Sequence, residues 1–129
     1  MLIVDASVIA PVVADGGSDG VRFRQRLHGE QIAAPDLLGV EVLSVIRRQL
    51  HVGTIDVTHA EQAVTDLLDL PITVYPSAQL LLRCWQLRDN LTAYDACYIA
   101  LAETLGCSLL TADTRLSRAP GTRCPIEVI

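Results

Sequence analysis

At 129 residues the chain has the length of a single domain and can bury a real core without metal or disulfide staples. Half of its residues are apolar and its formal net charge is −5, which argues against a broad phosphate-binding face. All ten basic residues are arginine, so every mechanism that needs a lysine is excluded.

Leu2 to Val4 reads as a short buried strand whose apolar run ends on Asp5. A carboxylate placed there costs free energy unless something compensates it. A helical stretch from Ser7 to about Ala14 follows, and Gly16, Gly17 and Gly20 mark a loop. The next helix, from about Asp19 to His28, ends at Gly29. Gln31 to Ala34 forms a second strand, and Pro35-Asp36 starts a long helix that stops at Gly53. Thr58-His-Ala-Glu61 has the form of a capping box and opens another helix. Ile72 to Tyr75 is strand-like. Ser77 is expected to cap a helix reaching about Asn90, and Thr92 the next, which ends at Gly106. Ser108 to Thr111 and Ile126 to Ile129 are the last strands.

Strands alternating with helices predict an α/β fold, a mainly parallel sheet with helices on both faces, within one domain spanning 1–129. In such sheets ligands gather at the carboxyl ends of the strands. The longest charge-free run, Leu70 to Leu82, contains Pro71 and Pro76 and is too short and broken to span a bilayer. No basic region precedes an apolar stretch at the start, so the expected address is the cytoplasm, without membrane contact. Cys84, Cys97, Cys107 and Cys124 have no CxxC spacing and read as reduced, mostly buried thiols.

Two strands end on acids: Asp5, and Asp113 in CSLLTADTRL, just past Thr111. Two further carboxylates sit in apolar company. Glu41 lies at the border of the apolar stripe of PDLLGVEVLSVIRRQL, flanked by Leu37, Leu38 and Val45. Asp95, in TAYDACYIALAETLG, lies on the apolar side beside Ile99 and Ala102, and Thr92-x-x-Asp95 also resembles a capping box. Four carboxylates cannot share a pocket ionised without a cation. Oxygen-only ligands suit Mg²⁺ or Mn²⁺, which polarise a phosphoryl oxygen and activate water for in-line attack.

The pieces LIVDAS, APDLLGVEVLSVIRR, TAYDACYIALAETLG and LLTADTRL resemble the PIN-domain family, and more narrowly the VapC-type toxins of bacterial toxin–antitoxin pairs. The resemblance covers essentially the whole chain. It implies a three-layer α/β/α sandwich and a metal-dependent endoribonuclease. The family's four acidic positions fall on Asp5, Glu41, Asp95 and Asp113, and its supporting hydroxyls on Ser7 and Thr111. Asp5, Asp95 and Asp113 would hold Mg²⁺ (Mn²⁺ as substitute), with Glu41 as ligand, supporting partner or base. The implied partners are an RNA substrate, a cognate VapB-type antitoxin and a second copy of the chain in a homodimer. Arginine suits phosphate through its bidentate fork, and Arg115, two residues past Asp113, is the strongest candidate for RNA contact.

Competing readings meet specific obstacles. A phospho-acceptor receiver needs paired aspartates after its first strand and a lysine. A haloacid-dehalogenase-type phosphatase needs a second aspartate at position 7, which is Ser7. No GKS or GKT loop exists for a Walker-type NTPase. The remaining alternative is a catalytically inactive PIN-like module that binds RNA or protein, and metal binding discriminates it from the enzyme.

Overall fold

The computed structural model describes residues 1–129. Five strands, β1 (Leu2–Val4), β2 (Ile32–Pro35), β3 (Ile72–Tyr75), β4 (Ser108–Thr111) and β5 (Ile126–Val128), form one sheet in the order β3-β2-β1-β4-β5. Every neighbouring pair is parallel. β1 and β2 are buried throughout, as central strands covered on both faces must be. The edge strands β3 and β5 mix exposed and half-buried residues.

Six helices cover the sheet: α1 (Ala6–Ala14), α2 (Ser18–Leu27), α3 (Leu38–His51), α4 (Val57–Asp69), α5 (Leu81–Gln86) and α6 (Ala93–Leu105). The chain steps from β1 to β2 to β3 in one direction, then crosses back to β4 on the other side of β1. Right-handed crossovers running in opposite directions put their helices on opposite faces. Accordingly α1 packs with α2, α3 and α4, while α6 lies across β1, β2 and β4 with α5 against it. The three-layer α/β/α expectation is therefore met. α6 is nearly all core: Ala96 through Ala102 are all buried. No helix is long and apolar enough to cross a membrane.

Local starts differ from the sequence expectation in four places. Asp5 itself caps α1, which therefore opens at Ala6 and not Ser7. Pro35 stays in β2, paired with Tyr75, and the Asp36 amide is committed to the Tyr75 carbonyl at 2.8 Å, so α3 begins only at Leu38. Asp56, not Thr58, caps α4: its Oδ1 accepts from the His59 amide at 2.8 Å, which leaves Thr58 inside the helix. The expected Ser77–Asn90 helix is a 3-10 turn at Ser77–Leu80 followed by the short α5, and the Ser77 amide donates to Asp36 Oδ1 at 3.3 Å. Thr92 caps α6 as expected, and Gly106 closes it at φ 65°, a conformation that favours glycine. The four cysteines are free, with Cys84 and Cys97 buried and their sulfurs 3.5 Å apart.

Candidate active site

The strand order reverses between β1 and β4, and this is where the chain collects its acids. Asp5 follows β1 directly; Thr111 ends β4, and Asp113 lies two residues beyond. α1 leaves β1, α3 leaves β2, and α6 leads down into the start of β4. Parallel topology thus brings the N-termini of all three helices to the carboxyl edge of the sheet. Each carries one acid there: Asp5 as the cap of α1, Glu41 in the first turn of α3 and Asp95 in the first turn of α6. The positive end of a helix dipole favours a carboxylate at each place.

Asp5 forms a fixed floor. It is only 7% exposed, and both of its oxygens are engaged. Oδ1 accepts from the Ser7 hydroxyl at 2.5 Å and from the Ser7 amide at 3.1 Å. Oδ2 accepts from the Thr111 hydroxyl at 2.5 Å. The hydroxyls are held in turn, because Ser7 Oγ accepts from the Ala112 amide at 2.8 Å and Thr111 Oγ1 from the Asp113 amide at 3.0 Å. Through Asp5, Ser7 and Thr111 cross-link the ends of β1 and β4. Burial pushes the Asp5 carboxyl above its ordinary value, and the bonds from Ser7 and Thr111 pull it back.

The other three acids form a more open rim. Burial raises the Glu41 carboxyl, and the charges of Asp95 and Asp5 raise it further, against the pull of Tyr98. Burial likewise raises Asp95, assisted by the charge of Asp113 and opposed by Thr92 and Arg115. Glu41 thus feels Asp95 and Asp5, and Asp95 feels Asp113. Asp113 differs in sign: the hydrogen bonds from Arg115 hold its carboxyl below the ordinary range. Arg115 Nη2 lies 2.6 Å from Asp113 Oδ2, and its Nε 3.0 Å from Oδ1. Every candidate ligand is an oxygen, the donor set that a hard divalent cation takes, so these four acids could hold one. Their side chains are not closed around a single point: no three stand at the spacing of a metal cage.

One participant was absent from the sequence reading. Tyr98 is 2% exposed, and its hydroxyl donates to Glu41 Oε1 at 2.6 Å. Burial and Glu41 push its phenol above the usual tyrosine range, so it keeps its proton and donates. A signal existed, since Tyr98 lies three residues past Asp95 and so shares its helix face. Two arginines of α2, by contrast, serve the scaffold. Arg24 donates to the carbonyls of Val12 and Asp15, and Arg26 pairs with Glu30 and Glu127. Arg115 alone is bonded to a site acid, and its side chain is 83% exposed.

The pattern of the PIN domain matches residues 2–121. Ribonuclease VapC9 of Mycobacterium tuberculosis is 38% identical over 130 residues, covering 100% of this chain and 98% of the relative. Ribonuclease VapC1 of the same organism is 38% identical over 128 residues, covering 98% and 96%. Among solved structures, VapC20 of Mycobacterium tuberculosis, a Sarcin-Ricin loop cleaving toxin, superimposes with a TM-score of 0.73 over 95% of this chain and 97% of that one. At 16% identity that likeness concerns the fold alone.

Proposed function

This chain belongs to the PIN-domain family, among the VapC ribonucleases, and from that premise we propose that it is the endoribonuclease toxin of a toxin–antitoxin pair. The observation that carries the reading is the Asp5 carboxylate, buried on paired hydroxyls at the strand-order reversal, with Glu41, Asp95 and Asp113 carried to the same edge of the sheet. A folded chain has no structural need to gather four carboxylates at one edge, where they repel each other.

In this reading Asp5, Asp95 and Asp113 would hold Mg²⁺, or Mn²⁺ in its place. When bound, such an ion supplies a Lewis acid for the phosphoryl oxygen and lowers the pKa of water. Ser7 and Thr111 fix the direction of Asp5. Glu41 offers one carboxylate oxygen to take a proton from the attacking water. Arg115 leaves Asp113 for a substrate phosphate, where its fork gives two hydrogen bonds. The RNA is cut to a 5′-phosphate and a 3′-hydroxyl.

The same reading supplies partners, a VapB-type antitoxin and a second copy of the chain, and a cytoplasmic setting. Its support is apolar surface left uncovered: Val40 is 73% and Leu68 80% exposed beside the α3–α4 groove, and Leu82 and Trp85 are 73% and 64% exposed on α5. Sedimentation at micromolar concentration tests the dimer, and a growth arrest on expression tests the toxin.

The deciding experiment incubates purified, partner-free protein with RNA and maps the ends, with Mg²⁺, with Mn²⁺ and with excess chelator. Cleavage is expected only with metal. Full activity in chelator would sink the metal mechanism. No cleavage of any RNA, together with no metal binding by calorimetry, would leave the inactive binding module.

A further inference from the structure

We propose that Tyr98 is the positioning residue for Glu41: its hydroxyl holds Oε1 and thereby presents Oε2 alone to the reacting centre. The inference rests on the endoribonuclease reading and assigns the division of labour within it.

Three observations carry it. First, Glu41 has no backbone or hydroxyl anchor near it in sequence. Asp5 is fixed by Ser7, and Asp113 by Arg115, each two residues away, whereas the partner of Glu41 is 57 residues off. Second, the two helices involved pack mainly on other elements. α3 packs on α1 and α4, while α6 packs on the sheet and α5. The Tyr98–Glu41 bond is therefore the hydrogen-bonded tie between the helix that carries Asp95 and the helix that carries Glu41. Third, the tie has a rigid end and a free end. The Tyr98 ring belongs to the hydrophobic core, so its hydroxyl position is set by packing. Oε2 of Glu41 accepts no hydrogen bond within the chain and is not among the buried oxygens lacking a partner, so it is open to solvent.

The chemistry follows from this asymmetry. A glutamate has three rotatable bonds, and a carboxylate that must act through one oxygen loses efficiency if it swings. With Oε1 held, Glu41 is restricted to one-oxygen contact with an ion or a water. Groups that orient a site carboxylate in this way are worth 10–100-fold in metal affinity or activity.

The test is a double-mutant cycle on the full chain with Tyr98→Phe, Glu41→Ala and the pair. Two quantities are read: the Mn²⁺ dissociation constant by calorimetry, and single-turnover RNA cleavage at saturating enzyme. Thermal melting in chelator serves as the folding control. In the wild-type background Tyr98→Phe is expected to weaken Mn²⁺ binding or slow cleavage about 10–100-fold. In the Glu41→Ala background the same substitution is expected to change both by less than about twofold, because there is nothing left to position. A loss of equal size in both backgrounds means that Tyr98 acts as scaffold and overturns the proposal. So does a Tyr98→Phe protein with wild-type Mn²⁺ affinity and cleavage rate. A wild-type chain that neither binds Mn²⁺ nor cuts RNA overturns the functional reading itself, an outcome distinct from both.

Discussion

Asp5 and Asp113 close adjacent strands of the same sheet, and they are opposites. Asp5 is almost wholly buried and is bonded only by neutral hydroxyl and amide donors that are themselves tied down. Asp113 has a quarter of its side chain exposed and leans on a guanidinium that is mostly in water. Burial lifts the first carboxyl above its ordinary value, and an ion pair holds the second below it. The difference teaches how one site is both rigid and exchangeable. The floor (Asp5, Ser7, Thr111) is part of the fold and cannot change partners cheaply. The rim (Asp95, Asp113, Arg115) can change partners without disturbing the sheet.

The largest effect on stability should come from breaking the floor. Asp5→Ala removes the cap of α1 and leaves the Thr111 and Ser7 hydroxyls without their acceptor. A lost cap costs about 0.5–2 kcal/mol and an orphaned buried hydroxyl about 1–3 kcal/mol. Relief from burying a charge offsets part of this, so a net loss of about 2–3 kcal/mol is expected in metal-free urea unfolding. An unfolding midpoint equal to that of wild type would show that the floor is catalytic only.

Thr111→Val sharpens the point because it nearly conserves shape at a residue with no exposure. It removes a donor to Asp5 and an acceptor for the Asp113 amide. The expected cost is about 1–2 kcal/mol. Thr111→Ser keeps the hydroxyl and deletes one methyl, worth about 0.8 kcal/mol. Valine should therefore unfold at lower urea than serine, and the reverse order would mean that packing, not the hydrogen bonds, sets this position.

The floor was legible in the sequence and the rim's contacts were not, for a physical reason. An apolar run that ends on an acid is a local signal, and Asp5 and Asp113 each give one. Glu41 and Asp95 were visible as acids that interrupt helical periodicity. Tyr98 hid because its ring satisfies the core pattern while its hydroxyl does not, and one-letter periodicity registers only the ring. The pairing of Arg26 was hidden as well, because its partner Glu127 lies 101 residues away. The Ser77–Asn90 segment read as one helix because buried Leu80, Cys84 and Leu87 keep spacings of four and three, which a 3-10 turn joined to a short helix also supplies. At α4 the stronger cap, Asp56, stood two residues ahead of the capping-box pattern.

Asp95→Asn tests the rim with a smaller effect. Desolvation and Asp113 raise this carboxyl above its ordinary 3.8, so the folded state binds its proton more tightly than the unfolded one. Its stabilising contribution is therefore complete at acid pH and is lost as pH rises through the folded-state value. Removing the charge should leave the metal-free protein at neutral pH as stable as wild type, or more stable by some tenths of a kcal/mol, since half-exposed charges are screened. It should also flatten the fall in melting temperature between acid and neutral pH. Wild type alone should gain from Mn²⁺, about 2.7 kcal/mol at a hundredfold excess over the dissociation constant. A variant that melts lower in chelator yet responds fully to Mn²⁺ would make Asp95 a helix-start residue, in line with its bond to Thr92.

Arg115→Ala should be silent in the fold and visible only in function. The side chain stands in water and makes its bonds to a residue two positions away, so no core packing depends on it. Melting in chelator is expected to match wild type. Two functional changes are expected, of opposite sign. Asp113 loses the guanidinium that competes with a cation, so Mn²⁺ should bind at least as tightly by calorimetry. RNA loses one phosphate contact, so kcat/KM should fall and depend less on salt. One neutralised phosphate on a single strand corresponds to a slope change of about 0.7 in the log–log plot. An alanine variant with wild-type salt slope and wild-type Mn²⁺ affinity would reduce the Arg115–Asp113 pair to an ordinary surface contact. A variant that binds Mn²⁺ more tightly with an unchanged salt slope would keep Arg115 as the resting counter-ion of Asp113 but remove it from the RNA. The rim would then exchange its own arginine for the metal without handing that arginine to the substrate.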